Sequence, residues 1–289
     1  DNRYPGIFVA GPIGGTRLSA AFSMSGYTDR NFVLASRDTL ILRGAPVETF
    51  DTLTSQGGVS DLRAAVAWRQ SKAVQWGMGL HLITGSNRLD SRRVFGDAAY
   101  VGARERATIS YLGFGMSAGV MAQIGRRVTV SGMLRFDDKV KVERDTSSLG
   151  NTPLPITVAG GLRIQLSERL QVAGSARYRN WSVADARLLA QGGIGSTNTT
   201  EFNGGVEYLG NPRRPFRRPI RLGFRHARLP FPLQRGVDVD ESGISLGSSA
   251  RFVNDRAGLD FAVERIWRKG GPTFTESATL LTVGFSIRP

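Results

Sequence analysis

The chain has no cysteine and only two histidines among its 289 residues. Without cysteine there is no disulfide, no thiolate metal site and no cysteine nucleophile. Two isolated histidines do not make a transition-metal site. The glycines form no phosphate-binding loop, because they lie within alternating segments and not between a strand and a helix. We therefore expect no metal and no cofactor.

Long apolar runs and helical periodicity are also missing. No stretch of 18 or more apolar residues is present, which excludes a transmembrane helix. No long segment keeps apolar residues at the three- and four-residue spacing of an amphipathic helix, so we expect little helix. A tilted β-strand crosses a bilayer with about ten alternating residues, so low hydropathy is no sign of solubility.

What the chain has instead is a repeated two-residue alternation. In the segment from Val74 to Leu82, apolar side chains alternate with Gln75, Gly77, Gly79 and His81. Successive side chains of a strand point to opposite faces, so each such segment has one apolar face. The pattern recurs in Leu62 to Trp68, Leu112 to Ala122, Val128 to Phe136, Ile156 to Leu166, Leu170 to Tyr178, Phe202 to Tyr208, Ile220 to Phe224, Ile244 to Phe252, Leu259 to Val263 and Leu281 to Ile287.

The opposite face distinguishes a membrane barrel from a soluble sandwich. It is rich in glycine, of which the chain has 36, and it carries arginine in segment after segment. Small and charged side chains are typical of a wet lumen. The sequence therefore predicts an all-β protein, an antiparallel transmembrane β-barrel forming one outer-membrane domain over residues 1–289.

Turns give the topology. Six short polar connections are predicted at Gly14 to Thr16, Gln70 to Ala73, Gly125 to Arg127, Ser167 to Arg169, Gly210 to Pro219 and Asn254 to Ala257. Longer polar stretches alternate with them at Thr28 to Gly58, Gly85 to Gly96, Glu143 to Pro153, Ala184 to Thr200, Leu229 to Glu241 and Lys269 to Glu276. Outer-membrane barrels have short turns on the periplasmic side and long loops on the extracellular side, so we expect the same placement here. The count is about 13 strands, and because bacterial barrels have even strand numbers we expect about 14 in the parent protein, one of them before Asp1.

Arginines on the predicted lumen face are the candidate ligand-binding residues. They are Arg63, Arg135, Arg163, Arg177, Arg179, Arg221, Arg225 and Arg251. One interpretation is a lattice of charges bracing the wall, in which these arginines pair with acids of the same face. The acids are Asp61, Asp137, Glu201, Glu207, Asp260 and Glu264. The other interpretation is that the arginines left without an acidic partner attract anionic amphipathic solutes, since a guanidinium binds a carboxylate with two hydrogen bonds.

The net charge of +14 raises the question of a polyanionic partner. Nucleic-acid binding requires a basic stripe with aromatic side chains on which bases stack, or a helix that fits a groove of the nucleic acid. The sequence shows neither, so we expect no nucleic-acid partner. The densest cluster, Arg213 to Pro219, is either a solvated turn or a contact for anionic headgroups or a periplasmic partner. Arg92-Arg93 lies in a long-side segment, near lipopolysaccharide.

Aromatic residues near the predicted turns indicate a membrane-interface girdle. Trp68 and Trp76 flank the turn at Gln70 to Ala73, each on the outward face. Tyr208 and Phe224 are placed comparably around a later short turn. Amphipathic rings prefer the membrane interface, so these four residues are the predicted girdle.

Catalysis finds little support in the sequence. A barrel hydrolase needs a histidine, a serine and an orienting polar group within hydrogen-bond reach on the outward face. His81 falls on the lumen face, and His226 has Arg225 and Ala227 as neighbours with no evident serine partner. We therefore expect the protein not to be an enzyme.

Several stretches resemble the outer-membrane transporters of the FadL type, which carry long-chain fatty acids and, in the TodX branch, hydrocarbons. The similarity lies in the run from Gly57 to Leu62, in Trp68-Arg69-Gln70-Ser71-Lys72, in Gly77-Met78-Gly79-Leu80 and in Gly85-Ser86. The closing segments Arg221 to Arg225 and Gly243 to Gly247 are similar to the last strands of the same family.

The resemblance implies a 14-stranded barrel in the bacterial outer membrane whose amino-terminal segment forms a hatch inside the lumen. It also implies passive inward movement of hydrophobic or amphipathic small molecules, with a lateral exit at a kinked strand. The family's hatch motif does not occur in these residues. Two alternatives stay open: a less specific porin, and a barrel that serves as a scaffold or assembly partner for envelope proteins.

Overall fold

Sixteen β-strands make up most of the part of the chain that the structure describes. The computed structural model describes residues 6–190, 193–210, 218–232, 234–252, 256–272 and 274–287. The strands are β1 (Gly6–Pro12), β2 (Leu18–Asp29), β3 (Phe32–Leu42), β4 (Ala45–Arg69), β5 (Val74–Phe95), β6 (Ala103–Ile124), β7 (Val128–Asp137), β8 (Lys139–Arg144), β9 (Ser147–Pro153), β10 (Thr157–Gln165), β11 (Leu170–Arg179), β12 (Thr199–Tyr208), β13 (Ile220–Arg228), β14 (Val239–Phe252), β15 (Ala257–Gly270) and β16 (Phe274–Ile287).

The strands form one antiparallel sheet in which neighbours follow chain order. Within the described residues, thirteen strands run as β1-β2-β4-β5-β6-β7-β10-β11-β12-β13-β14-β15-β16. The other three lie off this path: β3 pairs with β4, and β8 pairs with β6 and β9. The count of about 13 wall strands is therefore confirmed, and the extra strands come from hairpins that the sequence did not reveal.

The chain divides into two compact units. The first comprises residues 1–66, 79–116 and 137–153. In it, β1 pairs with β2 over seven positions, from Gly6 opposite Ser25 to Pro12 opposite Ser19. Strands β3 and β4 form a hairpin paired from Phe32 opposite Ser55 to Leu42 opposite Ala45. The β8–β9 hairpin packs beside β6, with Ile109 opposite Arg144.

The second unit comprises residues 67–78, 117–136 and 154–289. It is a meander in which each of the strands β10 to β15 pairs with the next one along the chain, ending at β16. Strand β10 also pairs with β7. Because each connection joins neighbouring strands, the register is regular, and side chains at matching positions face each other across the sheet.

The predicted alternation of faces is present in the structure. On β5, Met78 and Leu80 are 72% and 68% exposed, whereas His81 and Ile83 on the opposite face are 4% and 0% exposed. The same contrast occurs on β6, where Phe114 is exposed and the alternate residue Ser117 is buried. One face of the sheet is thus an exposed apolar surface.

The predicted short turns connect neighbouring strands. Strand β4 ends at Arg69 and β5 begins at Val74; β6 ends at Ile124 and β7 begins at Val128. The turns at Gly14 to Thr16 and Ser167 to Arg169 likewise join β1 to β2 and β10 to β11. The cluster Arg213 to Pro219 falls largely outside the described residues, which resume at Arg218.

The longer connections contain more regular structure than expected. The sequence predicts a loop over Thr28 to Gly58, yet this range contains β3 and the first half of β4, which form a hairpin. The predicted loop from Gly85 lies within β5 as far as Phe95. Glu143 to Pro153 forms the turn and second strand of the β8–β9 hairpin. These expectations are wrong because polar residues here pair through backbone hydrogen bonds, which composition does not report.

Helix is scarce, as predicted. Among the described residues it is limited to a 3₁₀ turn at Trp181–Ala184 and the short helix α1 (Asp185–Ala190). No helix in this part of the chain has both the length and the apolar character needed to span a membrane.

Candidate functional site

Arginines of the second unit form ion pairs across neighbouring strands. The register places Arg177 opposite Glu201 and Arg221 opposite Glu207. Their nitrogen–oxygen distances are 3.2 Å for Arg177–Glu201 and 3.3 Å for Arg221–Glu207. Directly opposed side chains of a sheet are close enough for such pairs, so the pairing follows from the register.

The pairing continues diagonally through β13, β14 and β15. Arg225 contacts Glu241 at 2.8 Å and Glu264 at 3.2 Å. Arg251 lies 3.7 Å from Asp260. The structure thus contains much of the predicted charge lattice among these arginines.

The remaining candidate arginines are not part of these pairs. Arg163 reaches the Thr129 hydroxyl at 3.4 Å. Arg135 and Arg179 both lie opposite Thr157, one on each side of it, and each interacts with a neighbouring group. Arg63 belongs to the first unit, and its Nε is buried without a hydrogen-bond partner among the described residues. The eight arginines therefore do not form one site.

A small pocket brings three of the candidates together. Its volume is about 180 Å³. It is lined by Arg177, Arg179, Thr199, Glu201, Arg225, Ala227, Arg228, Leu229, Pro230 and Glu241. Four arginines and two glutamates line it, so cationic groups outnumber anionic ones. We call it the arginine pocket.

A larger cavity, of about 550 Å³, lies within the first unit. Its lining is Leu34, Ala35, Ser36, Asp51, Thr52, Leu53, Ser91, Arg93, Ala103, Arg104 and Glu105. Arg93 donates hydrogen bonds from Nε and Nη2 to the two carboxylate oxygens of Asp51, at 2.7 and 2.6 Å. This bidentate contact lowers the pKa of the Asp51 carboxyl, so both groups remain charged at the cavity wall. The cavity combines leucine side chains with a fixed ion pair.

The two histidines have different partners. His81, as predicted, is on the inner face, where its Nδ1 lies 2.9 Å from Oδ1 of Asp61. The prediction that His226 lacks a serine partner is wrong: its Nδ1 lies 3.0 Å from the Ser242 hydroxyl, because the register places the two residues directly opposite. No cluster of three metal-ligating side chains occurs in the described part of the chain.

The four predicted girdle aromatics are exposed. Trp68 and Trp76 flank the turn between β4 and β5, and Nε1 of Trp76 donates a hydrogen bond to Oε1 of Gln70 at 2.6 Å. Tyr208 ends β12 opposite Ile220. Phe224 lies four residues farther along β13, opposite Gly204, so it is distant from the turn that Tyr208 adjoins.

Glu241 is the site residue that sequence reasoning missed. The segment Asp238 to Glu241 reads as a solvated loop, yet Glu241 is 3% exposed and pairs with both Arg225 and Arg268. Its position two residues before Gly243, on the inner face of an alternating segment, is the signal that identifies it.

The fold is also found in known structures. No model of a protein family matches the chain, and no curated protein sequence matches it. The monoaromatic hydrocarbon channel CymD superimposes with a TM-score of 0.56 at 13% identity, covering 98% of this chain and 86% of that one.

Two further structures are similar. A FadL homologue from Pseudomonas aeruginosa has a TM-score of 0.59 at 14% identity, covering 91% of this chain and 70% of that one. The Pseudomonas putida toluene transporter TodX has a TM-score of 0.56 at 14% identity, covering 98% and 81%. The chain has the fold of the FadL-type outer-membrane transporters.

Proposed function

We propose that the protein is a passive channel for hydrophobic and amphipathic small molecules in the bacterial outer membrane. The observation that carries the proposal is the likeness to channels of this kind along nearly the whole chain. CymD is named for monoaromatic hydrocarbons and TodX for toluene, which supports a channel for small apolar molecules and not an enzyme. Within this proposal, residues 1–289 act as a single barrel domain.

The exposed apolar face supports a membrane location. Met78, Phe114 and Leu281 are 72%, 62% and 72% exposed, and they belong to series of exposed apolar side chains on their strands. A continuous surface of this kind in water promotes association, whereas in a bilayer it contacts acyl chains at no such cost. The two tryptophans beside the turn after β4 would then lie at the membrane interface.

The two cavities support a ligand with an apolar body. The larger one, of about 550 Å³, is within the usual range for small-molecule sites of about 300–1,000 Å³ and has leucines in its wall. The arginine pocket, of about 180 Å³, is too small for a whole amphiphile but large enough for its headgroup. Four arginines and two glutamates line it, so its excess of positive charge suits a carboxylate headgroup.

Uptake measurements test the proposal. We would compare radiolabelled toluene and a long-chain fatty acid entering cells that express the protein or an unrelated barrel. Faster uptake of either ligand supports the channel. If the arginine pocket holds a carboxylate, Arg179→Ala, which removes one of its four arginines, slows fatty acid uptake several-fold and leaves toluene uptake unchanged. Arg163→Ala is the matched control, because Arg163 is on the same predicted face but lines neither cavity.

Two other functions give different results. A less specific porin conducts ions continuously in a planar bilayer, at a level that hydrocarbon does not change. A scaffold without transport leaves uptake at the level of the control barrel and retains an envelope protein on gentle purification. Uptake equal to the control with either ligand would overturn the channel proposal.

A further inference from the structure

Four arginines and one aspartate lie on one face near the carboxyl end of β5 and the amino end of β6. They are Arg88 and Arg92 on β5 and Arg104 and Arg106 on β6, with Asp90 between them. All four arginines are exposed. We call this group the upper arginine cluster. None of the four is among the predicted lumen arginines.

The cluster lies on the apolar, outward face of the sheet. On β5, Arg88 and Arg92 lie an even number of residues from Leu80 and Leu82 and therefore share their face. Asn87, on the opposite face, is fully buried. On β6, Arg104 and Arg106 share the face of Leu112, whereas Ala107 on the opposite face is buried. The cationic and apolar residues therefore form one surface of two adjacent strands, with the arginines at one end.

The cluster has an excess of positive charge. Asp90 accepts a hydrogen bond from Nε of Arg104 at 2.9 Å and from Nε of Arg106 at 3.2 Å. Neither Arg88 nor Arg92 makes an ion pair with any side chain in the described ranges. The cluster thus has four guanidinium groups and one carboxylate, which is bonded to two of them, so its net charge is positive and favours anions.

The distance of the arginines from the leucines indicates the kind of anion. On each strand the last outward leucine and an arginine are six positions apart, Leu82 and Arg88 on β5 and Leu112 and Arg106 on β6. At about 3.3 Å per residue this is roughly 20 Å along the strand. A barrel tilt of about 40° reduces it to roughly 15 Å along the membrane normal. A phospholipid headgroup layer is only about 5–8 Å deep.

We propose that the upper arginine cluster binds the phosphate groups of lipopolysaccharide. The inference rests on the proposed outer-membrane location and on the long-connection side of the barrel facing outward. The acyl chains of lipopolysaccharide would contact the outward leucines of β5 and β6. Its phosphates are attached to sugars that extend from the acyl chains away from the membrane, towards the arginines. Guanidinium groups bind phosphate through paired, charge-assisted hydrogen bonds, and the exposed Arg88 and Arg92 are free to make them.

Binding measurements on the intact protein in detergent test this assignment. The probes are lipopolysaccharide, the same lipid after dephosphorylation, and inorganic phosphate. The test variant is the triple Arg88→Gln, Arg92→Gln and Arg106→Gln, which spares Arg104 because that residue also lines the larger cavity. The charge-matched control is Arg126→Gln, Arg127→Gln and Arg169→Gln, at the short turns and exposed.

We expect the test variant to bind lipopolysaccharide at least tenfold more weakly and the control to stay within twofold of the wild type. Changing the same three residues to lysine should restore most of the binding, because phosphate accepts a point charge. That rescue excludes misfolding as the cause of the loss. Equal binding by the test variant and the wild type would overturn the assignment, and so would equal binding of the dephosphorylated lipid.

Ligand uptake in the same variants separates this inference from the proposed function. None of the three substituted residues lines a cavity, so we expect uptake to remain when lipopolysaccharide binding is lost. If the test variant shows normal uptake and unchanged lipid binding, the lipopolysaccharide assignment is contradicted and the channel proposal stands. If the wild type shows no uptake, the channel proposal is contradicted and the lipopolysaccharide assignment stands. Tight binding of inorganic phosphate by itself would identify a free-anion site and overturn the lipid assignment.

Discussion

A β-carbon on Gly85 would lie 2.2 Å from the carbonyl oxygen of Gly58, and 2.8 Å from the α-carbon of Val59. Both contacts are with backbone, so the neighbouring strand cannot yield as a flexible side chain would. Glycine here allows β4 and β5 to approach closely.

We therefore expect Gly85→Ala to lower the free energy of unfolding by about 1–3 kcal/mol through overpacking. The measurement is the urea midpoint of unfolding in lipid vesicles, followed by tryptophan fluorescence. Gly26→Ala is the control, because nothing lies within 4 Å of a β-carbon at that position of β2. An unchanged midpoint for Gly85→Ala would contradict the close approach.

The bilayer location of the apolar face is tested by moving one charge along a strand. Leu80 and Ser86 are both exposed and occupy the same face of β5. Leu80→Arg should cost about 2–4 kcal/mol if it lies near the bilayer midplane, and Ser86→Arg about 0–1 kcal/mol if it lies near the interface. Unfolding in vesicles measures both values. Equal costs would place Leu80 outside the hydrocarbon core.

Glu241 provides a comparison of a buried and an exposed partner of the same arginine. Arg268 contacts Glu241, whose side chain is 4% exposed, and Glu276, whose side chain is 51% exposed. We expect Glu241→Ala to destabilise the protein by about 1–3 kcal/mol, because it removes the buried carboxylate that Arg225 and Arg268 share and leaves each with one partner, which is more exposed. Glu276→Ala should cost less than about 1 kcal/mol, as exposed ion pairs do. Equal midpoints of urea unfolding would show that burial of Glu241 has no energetic consequence.

The upper arginine cluster should not titrate near neutral pH. The hydrogen bond from Arg104, supported by Arg106, lowers the pKa of the Asp90 carboxyl to about 2. Because the folded-state pKa is below its ordinary value of 3.8, this pairing favours the folded state above about pH 4, and the contribution is lost as the pH falls towards 2. Between pH 5 and 8 the cluster keeps its charge.

Any change in lipopolysaccharide affinity over that range then follows the second ionisation of phosphate, near pH 6. We expect the affinity to rise through this range in parallel for the wild type and for Asp90→Asn. Binding isotherms at four pH values would measure it. A transition present in the wild type and missing from Asp90→Asn would mean that Asp90 itself titrates.

Local rules were enough to predict the wall of this protein. The two-residue alternation is a property of the extended backbone, so it identified the exposed face of β5 and β6 and the turns that join the long strands. It also placed His81, Arg177 and Arg221 on the inner face. The hairpin β3–β4 escaped prediction because polar residues interrupt the alternation of its strands, and backbone pairing has no side-chain signature.

Pairings between particular side chains depended on register. The sequence put His226 at the end of an alternating strand and left Ser242 outside the predicted segments. Only the hydrogen-bonded register put the two residues opposite each other. A shift of one residue would have turned one of them to the other face. For the same reason Glu241 read as part of a solvated loop, although its neighbours across the sheet, Arg225 and Arg268, enclose it.

The sequence by itself determined the class of fold, the two faces of the sheet and the approximate number of strands, because these follow from the chemistry of each short segment. Only the tertiary structure decided which arginines share a pocket, which are neutralised by acids and which gather around Asp90. Those groupings join residues from different strands, and their distances are fixed by strand register and not by spacing along the chain.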